Sequence, residues 1–275
     1  MKRHVLILMI ISVTAYGQTD STQAPEYGWK HSIVSGLTLT QVAFFDWVQG
    51  GENALAYTFG LEGKSVQDLE QTNWLTEYKF AFGQTRLGDQ GLRKTDDKID
   101  VGTVLTYKLG VYVNPYGAVT FKSQFAKGFK YDAAGNRTAV SKFFDPAYIT
   151  QSAGVGYQPL PEFRTRFGAA LREILTQDFN GYADGEKTKV DGGLESITDV
   201  ELKLDENVLL KSKLELFAPF ETLDEIVVRN DNSIVAKVNK YIAVNLNVQI
   251  INEAKVSPKT QVKEALSIGI SYTLL

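Results

Sequence analysis

The last fourteen residues, Val262 to Leu275, restrict the fold of this chain more than any other stretch. Val262, Leu266, Ile268, Ile270, Tyr272 and Leu274 fall on one face, and Lys263, Ala265, Ser267, Gly269, Ser271 and Thr273 on the other, with the alternation broken only at Glu264. A period of two is the pattern of a strand with two unlike surroundings. Here the apolar face suits lipid and the small polar face suits a lumen, so the stretch reads as the closing strand of a transmembrane β-barrel.

A chain that stops on such a strand resembles the C-terminal signal by which outer-membrane barrels are handed to the insertion machinery. Such signals usually end on an aromatic residue, and this chain ends on Leu275. The other terminus carries a basic head, Lys2-Arg3-His4, then an apolar run over residues 5–13 and the small-residue region Ala15-Tyr16-Gly17. That is the layout of a secretory signal peptide, which places export at residues 1–17, a polar lead at 18–28 and the barrel at 29–275. Nothing else approaches the roughly 18 apolar residues of a transmembrane helix. With no cysteine the chain holds neither a lipid anchor nor disulfides. Loss of Lys2 and Arg3 moves the formal charge from −3 to −5, which with both signs scattered gives no support for nucleic-acid binding.

About twelve strands can be drawn through the rest, near 30–43, 53–64, 73–85, 97–110, 116–129, 147–158, 162–175, 193–206, 208–218, 226–238, 240–252 and 261–274. The links alternate in kind. Short ones at 113–115, 158–161, 205–207 and 239–240 face longer polar ones at 44–52, 86–96, 130–146, 176–192, 219–225 and 252–260. The link at 65–72 is the exception, being long for its side. Short periplasmic turns and long extracellular loops are the outer-membrane pattern, and an even strand count puts both termini in the periplasm. Trp74, Tyr107, Tyr157, Phe163 and Tyr272 all fall near the short-turn end of apolar faces, as an aromatic girdle would. Glu173 and Glu264, which break apolar faces, fall near the long-loop end, where a charge costs about 0–1 kcal/mol.

Trp47-Val48-Gln49-Gly50-Gly51-Glu52-Asn53, Arg93-Lys94-Thr95-Asp96-Asp97-Lys98 and Phe144-Asp145-Pro146-Ala147-Tyr148 resemble segments of a Bacteroidota-type family. That family consists of uncharacterised outer-membrane β-barrel proteins catalogued as a domain of unknown function. The resemblance runs from about Trp29 to Leu275 and implies a barrel in the cell envelope, with no activity attached.

The residues themselves offer two kinds of site. Arg164, Arg166 and Arg172 share one strand face, Glu195, Asp199 and Glu201 a face of the next, and Lys211, Lys213 and Glu215 a face of the third. Neighbouring strands would bring them within reach, either as a salt-bridge ladder filling the lumen or as a lining that selects solutes by charge. In the outer links, Trp47 with Gly50 and Gly51, and Arg93, Lys94, Asp96 and Asp97, are loop candidates. Two adjacent carboxylates fall short of the 6–8 oxygens that calcium takes. His31 is the one histidine beyond the signal segment, and no thiol, phosphate loop or nucleophile elbow accompanies it.

The expectation is therefore a monomeric outer-membrane barrel needing no metal or cofactor and performing no catalysis. It either passes small polar or charged solutes through a charged lumen, or is closed and binds a partner through its outer loops.

Overall fold

The computed structural model describes residues 28–43, 52–132, 135–179, 187–255 and 257–273. The signal segment, most of the 18–28 lead, Trp47, Gly50, Gly51 and Leu275 lie outside the described residues. The strands are β1 (Gly28–Val42), β2 (Ala54–Asp68), β3 (Thr72–Leu87), β4 (Arg93–Tyr107), β5 (Val113–Ser123), β6 (Gly128–Tyr131) and β7 (Arg137–Ser141). They continue as β8 (Ala147–Leu160), β9 (Phe163–Leu175), β10 (Thr188–Asp205), β11 (Val208–Pro219), β12 (Val227–Lys237), β13 (Ile242–Asn252) and β14 (Gln261–Thr273). Twelve of them close an antiparallel barrel, while β6 and β7 form a separate hairpin between β5 and β8.

Alternation dictates which way each strand faces. Leu37, Phe59, Leu105, Val119, Val155, Phe167, Leu171, Leu266, Ile268 and Ile270 are all exposed on the outside, forming an apolar surface that no protein covers. Closure of the ring supplies the hydrogen bonds that a wall facing hydrocarbon must find internally, since each unsatisfied backbone group there costs several kcal/mol. Trp29, Trp74, Tyr107, Tyr157 and Tyr272 are exposed near the short-turn end, with the Trp29 and Trp74 rings 5.8 Å apart. Phe163 sits half-buried among them. Glu173 near the other end receives a hydrogen bond from Gln151 at 3.2 Å. His31 joins the girdle: its ring stacks on Trp29 at 5.9 Å and its Nδ1 lies 2.8 Å from the Ser65 hydroxyl.

The structure corrects the sequence reading in several places: the link read at 113–115 is the start of β5, which pairs with β8 from Val113, and β10 begins at Thr188, inside the link read at 176–192. The link read at 65–72 is mostly strand, because β2 runs to Asp68 and pairs through it with β3, leaving a turn at 69–71. The stretch read as one strand over 116–129 ends at Ser123, and the chain turns outward into β6 and β7. Arg93, Lys94, Asp96 and Asp97, expected in a loop, form the start of β4. There Gly83 pairs with Asp96 and Gln84 with Lys94, so Thr95 is an extra residue bulged out of the ladder.

The ring is unevenly zipped. β1 and β2 share fifteen register pairs, whereas β1 and β14 share five, Val34–Thr38 against Gly269–Thr273. Inside, the apolar core is small: Ala170, Phe217 and Val227 form one buried cluster, and Ile174 and Ile197 are fully covered. Elsewhere, charged and neutral polar side chains take much of the interior, among scattered apolar ones such as Leu75 and Tyr116.

Candidate lumen site

Among the described residues the expected cross-strand ladder forms between Arg164 and Asp199. Arg164 on β9 donates to Asp199 on β10 at 3.1 Å, and also reaches Glu77 on β3 at 3.5 Å. The other candidates take different partners. Lys213 sits beside Glu215 on its own strand at 3.6 Å, and Glu215 also accepts from Lys122 on β5. Lys211 approaches Glu62 on β2 at 3.9 Å. Arg172 pairs with Glu253, which lies just beyond β13 and outside its own ladder. Arg166 is buried over the Tyr116 ring at 5.7 Å, Glu195 is buried beside it, and Glu201 stays exposed near the β10–β11 turn.

Strand order explains these pairings. β9 and β3 are four steps apart around the ring, as are β5 and β11, and β4 and β12 are six apart, which is diametrically opposite. Lys98 on β4 nonetheless donates to Asp231 on β12 at 3.1 Å. Lysine and arginine stems are long enough to reach partners on distant strands across the lumen, and a buried charge favours any partner over none. The lumen is thus crossed by ion pairs instead of being lined by separate stripes.

Sequence reasoning missed several members of this network: Glu62, Glu77, Lys79, Lys98, Lys122, Arg229, Asp231 and Glu253. Lys79 pairs with Glu62 at 3.0 Å and lies 4.0 Å from Asp231, while Arg229 donates to Glu253 at 3.0 Å. A signal was present, since Glu77 and Lys79, and Arg229 and Asp231, occupy alternate positions of their strands and so share the inner face. Glu253 carried none, because it follows the last alternating residue of β13.

The motif residues now have places. Asp96 pairs with Lys263 of β14 at 2.8 Å, four strands away. Asp97 pairs with Lys94 at 2.8 Å and accepts from the Phe125 and Ala126 amides at 2.6 and 2.8 Å, which pins the link after β5. Arg93 stacks on Tyr131 of the hairpin at 4.1 Å. Asp145 is buried and accepts from the Thr176 hydroxyl at 2.6 Å and from the Gln177 and Asp178 amides at 3.0 and 3.1 Å, tying two outer links together. Burial alone would raise its pKa, but those donors and Lys142 hold the carboxyl below its usual range. Tyr148 lies under two guanidinium groups, 5.7 Å from Arg172 and 5.4 Å from Arg229.

Two cavities open within the network. The larger, about 450 Å³, is lined by Lys98, Lys122, Tyr148, Lys213, Glu215, Arg229, Asp231 and Lys263 among others. A smaller one of about 50 Å³ shares Lys122, Tyr148, Glu215 and Arg229 with it. Among the described residues no group of three or more histidine, cysteine or carboxylate side chains is arranged to hold a metal ion.

A family profile described as "Protein of unknown function (DUF3078)" matches residues 39–129. That span takes in the Trp47–Asn53 and Arg93–Lys98 motifs and leaves Phe144–Tyr148 outside. No curated protein matches the chain. Among solved structures the chain is similar to the translocator domain of the autotransporter NalP from Neisseria meningitidis, at 10% identity over 91% of this chain and 90% of that one, with a TM-score of 0.44. It is similar also to an outer membrane channel from Pseudomonas putida F1, at 12% identity over 93% and 99% of the two chains and a TM-score of 0.41. The NanC porin gives 9% identity, 88% and 100% coverage and a TM-score of 0.38.

Proposed function

We propose that this chain is an outer-membrane barrel, exported by a cleaved signal peptide, whose charged lumen passes small polar or charged solutes. Its partners would be membrane lipid and, during assembly, the insertion machinery that reads the C-terminal strand. The ring closes with strands of one chain, and the working unit of this reading is a monomer. Location is supported by the exposed apolar surface and the girdle below it. The observation that carries the channel reading is the state of the lumen charges. Lys79 and Glu62, though turned inward, keep 36% and 49% of their side-chain surface open, and Lys211 keeps 44%. Charges inside a ring stay open only where there is room for water, and twelve strands lie between filled eight-stranded barrels and open porins of sixteen or more. Solutes would move by displacing ion pairs from one partner to the next.

The test is conductance of residues 18–275 refolded into planar bilayers, after gel mobility has shown a compact, heat-modifiable barrel. Small discrete current steps are expected. In Arg164→Gln, which leaves Glu77 and Asp199 without their shared cation, the reversal potential should shift toward cation selectivity. An open channel whose selectivity did not move would remove Arg164 from the lining.

The second reading is a closed barrel that works through its outer links, and it is favoured by the Lys98–Asp231 pair between opposite walls. A correctly folded barrel that passes no current would replace the channel reading with this one.

A further inference from the structure

We infer that the β6–β7 hairpin is a docking surface for the phosphate groups of lipid around the outer mouth, and this rests on the chain's outer-membrane location. Three cations gather on the hairpin. The Arg93 guanidinium lies over the Tyr131 ring at 4.1 Å, and the Phe129 ring carries the Arg137 guanidinium at 4.9 Å and the Lys127 ammonium at 5.6 Å. The two rings are 6.5 Å apart, so the three charges crowd one patch. Among the described residues none of the three forms an ion pair with a carboxylate, whereas Lys94 and Lys142 at the hairpin's roots have Asp97 and Asp145. Asp132 is the one carboxylate in residues 124–144, and it accepts from the Asn136 backbone amide at 2.8 Å and side chain at 2.9 Å, closing the turn. Ring faces attract cations but do not neutralise them, so the patch stays positive.

The roots of the hairpin place that charge beside lipid. Phe80 shares the outward face of Trp74 on β3, and Phe121 that of Val119 on β5. The Phe125 ring lies 6.0 Å from Phe80. Phe144 meets Phe121 edge-on at 5.4 Å and stacks on Phe143 at 4.1 Å. Phe125, Phe143 and Phe144 are exposed. Both roots therefore lie on the lipid side of the wall toward the long-loop end, in the position of an aromatic girdle. Basic groups just beyond a girdle stand at headgroup depth, where the complementary charge is phosphate, and guanidinium and ammonium groups hold phosphate by charge-assisted bonds.

Acetylation of Lys127 tests this on the folded mature barrel in neutral-detergent micelles at fixed ionic strength. Phosphatidylglycerol, phosphatidylcholine or inorganic phosphate is added, and each lysine is read by peptide mass. Phosphatidylglycerol should slow Lys127 several-fold, while phosphatidylcholine, whose choline offsets its phosphate, and free phosphate should leave it unchanged. The reference is Lys259, exposed in the link between β13 and β14 across the ring, which should slow far less. Arg137→Gln should raise the phosphatidylglycerol needed for half-protection of Lys127 about fivefold, the share of one basic side chain at an anionic surface, and Arg137→Lys should restore most of it. A change in the lipid-free rate alone, with half-protection unmoved, would make Arg137 structural and overturn the site. Equal slowing of Lys127 and Lys259, equal protection by free phosphate, or no protection by phosphatidylglycerol would overturn it too. Unheated gel migration reads the barrel separately. A compact barrel with Lys127 unprotected rejects the lipid site alone, whereas a chain that forms no heat-modifiable barrel rejects the outer-membrane reading.

Discussion

Gly168→Val abolishes the compact, heat-modifiable form of the barrel: that is the expected result with the largest effect. Gly168 on β9 is the register partner of Gly154 on β8. A Cβ placed on Gly168 would overlap the Ala153 carbonyl and come within 2.9 Å of the Gly154 Cα. One placed on Gly154 would overlap the Phe167 carbonyl and come within 2.5 Å of the Gly168 Cα. The obstacles are backbone atoms, which cannot swing aside as a side chain can. Accommodating valine means prising two strands apart and breaking ladder hydrogen bonds in a wall that has no water to replace them. A cost above about 4 kcal/mol puts the change in the class that removes folding outright. The control is Gly117→Val, where nothing lies within 4 Å of the added Cβ. Unheated gel migration reads both, and a Gly168→Val barrel migrating as wild type would show that these strands have more freedom than their spacing implies.

Glu253→Gln should loosen the outer mouth. Glu253 is 3% exposed and is shared by Arg172 and Arg229, so neutralising it takes from two guanidinium groups beside Tyr148 the carboxylate that holds them together. Breaking a buried pair by removing one partner costs about 3–5 kcal/mol, and the strain falls on the link that carries residue 253. Limited proteolysis within 253–260 should accelerate at least several-fold, with the barrel core intact. Acid should imitate the substitution. Burial alone would raise the Glu253 pKa, but Arg172 and Arg229 bring it below the ordinary 4.5. A group whose folded pKa is depressed stabilises above its unfolded value and loses that contribution as pH falls through the folded one. The wild-type link should therefore stay closed at neutral pH and become protease-sensitive only as pH falls through the depressed folded pKa of Glu253, below the ordinary glutamate range, whereas the variant should be sensitive at both. A wild-type link whose cutting never rises toward that of the variant, down to the lowest pH at which the barrel core stays folded, would show that the carboxylate does not hold it.

The strand pattern could be read from residues because a wall between lipid and lumen imposes alternation on every strand. Val262 to Tyr272 and Ile99 to Tyr107 carry it openly. What failed did so for local reasons. Arg93 to Lys98 has five charges and a bulge at Thr95, so no period of two survives, and a strand there looks like a loop. β6 and β7 are short, and their pairing depends on a turn and on Arg93 and Arg137 stacking over Tyr131 and Phe129 at 4.1 and 4.9 Å. The inner charges were legible as a set: Arg164, Arg172, Lys213 and Glu215 do face inward. Their partners were not, since register tells which residues are neighbours along the wall and nothing about how far the opposite wall lies. Lys122 with Glu215, and Lys98 with Asp231, follow from the width of the lumen.

The five-rung contact between β1 and β14 has a kinetic consequence. Beyond Thr38 and Gly269 the described parts of the two strands share no rungs, although each remains fully zipped to its other neighbour. Amide protons of residues 39–42 and 265–268 that point into this gap have no ladder protecting them, so deuterium uptake should begin there and spread around the ring last to the β8–β9 pair, which lies opposite the gap. The barrel would then have a defined point of first opening, set by where two ends of one chain meet, and a cysteine pair bridging residues 40 and 267 should delay exchange across the whole ring.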